Sequence, residues 1–175
     1  DSYMVAVGYN TLDANTTGVR STALGALALG ANTTGNDNVA VGFQTLASNT
    51  TASNNTAVGY QSLLSNTTGS GNVAVGRQAM SLANSGANNV AVGDSALNNN
   101  TGSNNAAIGK NAMIANTTGS YNNALGYGAL DANTTGNGST AIGHAALTAS
   151  TASYNTAVGF TALATNTSGA SNVAI

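Results

Sequence analysis

Apolar residues recur along this chain at fixed offsets from a glycine. The tripeptide Ala-(Val/Ile/Leu)-Gly returns with its glycine at 8, 25, 42, 59, 76, 93, 109, 126, 143 and 159. The step is 17 residues, except for 16 at Gly93 to Gly109 and at Gly143 to Gly159. A branched aliphatic residue precedes each glycine: Val7, Leu24, Val41, Val58, Val75, Val92, Ile108, Leu125, Ile142 and Val158. Ala stands before that, from Ala6 to Ala174. Four residues after the glycine comes Leu or Met: Leu12, Leu29, Leu46, Leu63, Met80, Leu97, Met113, Leu130, Leu147 and Leu163. These three columns read as the interior. On that reading an aspartate at Val58 or Val92 would be a buried, unpaired charge and would unfold neighbouring coils. The residue just after the glycine is Tyr9, Phe43, Arg77, Asp94 or His144. Such a mixture predicts a surface or a contact between chains.

A unit of 17 residues cannot bury its own apolar side chains, so it must stack on its neighbours. The expected fold is mainly β: a β-solenoid or parallel β-roll of about ten coils, with residues 1–175 as one array and no separate domains. Segments such as Asn38-Val-Ala-Val-Gly42 read as strands. The stretch from the glycine to the Leu column allows a second strand or a short helical turn. A helix needs about 8–10 Å from its neighbour, against about 4.8 Å between strands. Two short strands per coil therefore suit a straight rod, about 48 Å long for ten coils at that spacing. A strand plus a helical turn, interleaved between chains, is the alternative. Asn38, Asn55, Asn72, Asn89, Asn105, Asn122, Asn155 and Asn172 precede the strands, and aligned amides of this kind can stack into a ladder.

Composition narrows the function. Ala, Asn, Thr, Gly and Ser make up about 70% of the chain, with 3 Lys+Arg, 5 Asp+Glu and a net charge of -2. So few cations give no path for a phosphate backbone, which argues against nucleic acid. Cys is absent, which removes disulfides and thiolate metal sites. No apolar run is long enough to span a membrane as a helix. His144 shares a column with Tyr60 and Phe160, and the acids Asp1, Asp13, Asp37, Asp94 and Asp131 are scattered. No catalytic, cofactor or metal residue is assigned, and the chain is read as a non-enzyme.

Most units close with Asn-Thr-Thr-Gly or a near copy. Asn15, Asn32, Asn49, Asn66, Asn116, Asn133 and Asn166 of this column each begin an Asn-x-Ser/Thr sequon. Turn chemistry explains them, and glycan attachment in a secreted protein is the other reading. Thr16, Thr33, Thr50 and Thr67 would stack along one edge, which leaves open a binding protein with a repetitive Thr/Asn face for ice or carbohydrate.

The runs Asn38-Val-Ala-Val-Gly42, Asn55-Thr-Ala-Val-Gly59 and Ser139-Thr-Ala-Ile-Gly143 resemble the head repeats of YadA-like trimeric autotransporter adhesins and related repeats of phage tail fibres. The resemblance touches all ten units, over about five residues of each, and the adhesin unit is shorter. It implies a left-handed β-roll and a trimer. The expected function is a structural, extracellular or cell-surface fibre, adhesin-like, with the chain itself as partner in a trimer or a head-to-tail filament. The chain starts at Asp1 and stops at Ile175, with the repeat's strand sequence at both ends. It is therefore read as a segment of a longer fibre.

Overall fold

The structure is a computed structural model and describes residues 3–82 and 85–175. Among these it contains eleven short strands, from β1 (Val5–Val7) and β2 (Thr22–Leu24) to β11 (Val173–Ala174). They form one parallel sheet in chain order. Pairing is in register throughout: Ala6 faces Ala23, Ala23 faces Ala40, and so on to Ala157 with Ala174. The 16-residue coils keep register too, with Val92 paired to Ile108 and Ile142 to Val158. Each coil thus adds one strand to a β-solenoid.

Only one leg of the coil is a strand. After each glycine the chain runs through overlapping tight turns rather than a second strand or a helix. In the second coil the Gly25 carbonyl accepts from Ala28 N, Leu27 from Gly30 N and Leu29 from Asn32 N, at 3.2, 3.2 and 3.1 Å. Positive φ at Leu27 and Leu29, 61° and 51°, places them where type II turns need it. Alternate amides of this leg leave the plane of the coil. Leu46 N donates to Ser62 O of the next coil at 3.1 Å, and Gln44 N to Ala26 O of the previous one at 3.0 Å. The turns therefore also form an inter-coil ladder, which is how a non-strand leg keeps pace with the strand spacing. The two-strand coil expected above is corrected in this leg.

Every member of the Leu/Met column has φ between about 50° and 53°. That conformation costs an L-residue roughly 1–2 kcal/mol. Burying a Leu side chain returns about 1.5–3 kcal/mol, and the turn hydrogen bonds add to it. Leu29, Leu46, Leu63, Leu97, Leu130 and Leu147 are fully buried, and Leu163 in the last complete coil is partly buried. Across from them lie the strand alanines from Ala23, Ala40 and Ala57 to Ala157, equally buried, while Ala6 in the first strand is exposed. The core is thus thin: one Leu or Met and one strand Ala per coil, plus the small residue before the Leu, such as Ala79, Ser62 or Thr45. Leu63→Ala should cost about 2–5 kcal/mol because the cavity has little room to collapse. Urea unfolding with an unchanged slope is the check, and a loss under about 1 kcal/mol would contradict this packing.

The branched column is not in that core. Val7, Val41, Val58, Val75, Val92, Ile108, Leu125, Ile142 and Val158 are half-buried or exposed, with Leu125 at 47%. Successive residues of a strand face opposite ways. Ala and its branched neighbour cannot both point inward, and the alanine does. The expectation that aspartate at Val58 or Val92 would be buried is corrected with it.

Candidate functional site

Four columns alternate outward around the strand. The central two are the strand residues on either side of the buried Ala, such as Thr22 and Leu24, Val39 and Val41, or Thr56 and Val58. One border lies immediately after the glycine: Tyr9, Ala26, Phe43, Tyr60, Arg77, Asp94, Lys110, Tyr127, His144 and Phe160. The other lies five residues before it, and includes Tyr3, Arg20, Asp37, Asn54, Tyr121 and Tyr154, all with positive φ. All six Tyr, both Phe, all three cations and the single His of the chain fall in these two borders. The middle of the face carries none of them.

Side chains within a border pair with the next coil. Phe43 and Tyr60 stack at 5.7 Å between ring centroids. His144 lies between Tyr127 and Phe160, at 5.2 and 5.1 Å. Arg20 donates from Nε and Nη2 to the two Asp37 oxygens at 2.7 Å each, and Arg77 reaches Asp94 at 3.0 Å. These contacts hold Asp37 and Asp94 below the usual carboxylate range, chiefly through the hydrogen bonds from Arg20 and Arg77. Both pairs are solvent-exposed, so each is worth little in stability. They neutralise the borders locally.

Behind the strand the polar side chains face inward in two ladders, the second of them traced from Asn15 to Asn66 and from Asn100 to Asn133. The first is the column four residues before the glycine. Asn55 N donates to Asn38 Oδ1 at 3.0 Å, Asn72 N to Asn55 Oδ1 at 2.9 Å, and Asn89 N to Asn72 Oδ1 at 2.9 Å. Their Nδ2 groups bond the turn carbonyls, as Asn55 does with Gly69 O at 3.0 Å. This is the column in which sequence periodicity allowed a ladder.

The second ladder is the sequon column. Asn32 Nδ2 donates to Asn15 Oδ1 at 2.9 Å and to Gly35 O at 3.1 Å. Asn49 repeats this on Asn32 and Ala52, and Asn133 on Asn116 and Gly136. Asn32, Asn49, Asn66, Asn116 and Asn133 have no solvent exposure, while Asn15 and Asn166 are half-buried near the ends. In the folded rod the Nδ2 groups of the buried members point into the core and donate to the Gly or Ala carbonyl three residues on, which favours the turn reading of this column over glycan attachment at those positions. The clue in the sequence was a fixed Asn with a fixed Gly three residues later, since that Gly's carbonyl takes a bond from each ladder. Gly119 O accepts from Asn116 at 3.0 Å and from Asn105 at 2.8 Å.

The threonines beside this ladder bind the rod rather than stand free. Thr16 Oγ1 donates to Thr33 O at 2.8 Å and Thr117 Oγ1 to Thr134 O at 2.9 Å. Asp13 lines a shallow open notch of about 170 Å³ with Asn10, Leu27, Gly30 and Ala47, on the turn leg. Asp131 lies on the same leg, and partial burial pushes its carboxyl up. Asp1 lies outside the described residues. Among the described residues no three His, Cys, Asp or Glu side chains converge, and no helix is long and apolar enough to cross a membrane. No protein-family model, curated protein or solved structure matches the chain.

Proposed function

We propose that this chain is a structural, non-catalytic segment of an extracellular or cell-surface fibre, adhesin-like in its repeat, whose work is to build length and carry surface. The observation that supports this reading is the pair of buried asparagine ladders. A catalytic or ligand site needs polar groups left to act on something else. Here the inward amides are spent joining each coil to the next: Asn116 Nδ2 reaches Asn100 Oδ1 at 2.6 Å, and Asn122 N reaches Asn105 Oδ1 at 3.0 Å. The same kind of bond recurs from coil to coil, with Ser21 and Ser139 standing in for Asn in one column and Ser150 in the other, so the array extends on a single plan. Stability in such arrays is close to a sum over units and their interfaces.

Length-building has a direct test. Three further copies of residues 59–75, inserted after position 75, keep every column in phase. The product is expected to fold with equal or higher thermal stability and to lengthen by about 14 Å, three interstrand spacings, in small-angle scattering. A product that loses its β circular dichroism, or grows in girth instead of length, would count against a rod made of interchangeable coils.

A further inference from the structure

We infer that the four-column strand face is a docking surface for a second copy of this chain, packed sheet face to sheet face. The inference deepens the fibre reading and rests on it. Large aliphatic side chains stand open along the whole face: Val7 at 55%, Leu24 at 46%, Ile108 at 42% and Ile142 at 40% exposure. Contiguous apolar patches of this extent mark interaction sites. Columns two residues apart are separated by about 6.7 Å, so four of them over ten coils span on the order of 1,000 Å². That exceeds the roughly 800 Å² per partner of a standard stable interface.

The chemistry of the face selects the occupant. Its centre carries Val, Thr, Leu and Ile, with Ala106 and Asn123, and no charge, and its borders carry every Tyr and Phe of the chain. An apolar centre with aromatic and Arg residues around it is the composition of a protein interface. Four of the border charges are already paired within the chain, Arg20 with Asp37 and Arg77 with Asp94, which leaves Lys110 as the one border cation outside these pairs. A partner therefore needs little countercharge. It needs a flat, uncharged surface ridged at the strand spacing, and a second copy presents that ridge spacing over the full length.

The test is the mass in solution and the point of contact. Light scattering across the micromolar range is expected to give at least twice the 16.9 kDa chain mass. The double substitution Val75→Glu/Ile108→Glu should reduce it to a single chain with its β circular dichroism intact. Should that variant fail to fold, the absence of Cys supplies a second route. Val58→Cys should cross-link between copies through a short bis-maleimide, whereas Thr148→Cys on the turn leg should not. A wild-type single-chain mass, an unchanged mass for the double variant, or cross-linking through Thr148→Cys alone would overturn the docking face. A single-chain rod of the expected length would do so while leaving the fibre reading intact.

Discussion

Gly59→Ala should be among the most damaging single-methyl additions this chain can receive, with a loss of several kcal/mol. Two costs combine. Gly59 has φ of 131°, a region essentially reserved for glycine. A Cβ there would also sit 2.5 Å from the backbone oxygen of Gly76 in the next coil. Backbone cannot step aside as a side chain can, because Gly76 is pinned by its amide to Val58 O at 2.9 Å. The ten glycines of this column mark the corner where the strand meets the turn leg. Gly30→Ala is the control. Gly30 has no positive φ, a Cβ there would meet nothing nearer than the Asn10 carbonyl oxygen at 3.3 Å, and its column already accepts Ala47. Its loss should be about 1 kcal/mol, the scale of an ordinary substitution. Denaturant midpoints of the two variants give the comparison. Equal losses would mean that the corner is not what the glycine column protects.

Asn116→Asp should produce the second large effect, with almost no change in shape. Asn116 is fully buried, and its Nδ2 donates to Asn100 Oδ1 and Gly119 O at 2.6 and 3.0 Å. A carboxylate turns that donor into an acceptor facing two acceptors, and places a charge in a core with no cation. An uncompensated buried charge costs about 3–5 kcal/mol. The sign with pH follows from burial: the folded state holds this carboxyl above its unfolded value. The variant's deficit should therefore be full at neutral pH and shrink as pH falls and the group takes up a proton. Asn116→Ser should be far milder, since Ser150 occupies the same column in a later coil and is also fully buried. A deficit that grows on acidification would contradict the ladder's donor pattern.

Much of this architecture is legible in the period alone. A 17-residue step in Ala-(Val/Ile/Leu)-Gly sets the coil count and the parallel in-register pairing, because a unit that small can bury apolar groups only by stacking. The Leu column and the variable column after the glycine are likewise set by position. Three matters were decided only in three dimensions. Ala23 and Leu24 are neighbours in a strand and one must face outward. Hydrophobicity favours burying the leucine, but the turn leg approaches closely and brings its own Leu29, leaving room for a methyl group. Leu27 and Leu29 sit at positive φ, where local preference expects Asn or Gly; burial outweighs that strain only once the neighbouring coils exist. Asn32 and Asn49 belong to a motif that reads equally as a turn or a modification signal. They point inward because an amide closed on Gly35 O or Ala52 O can meet the next amide one interstrand spacing away. Sequence set the interval of these columns. Contact between coils set which side of each column is the inside.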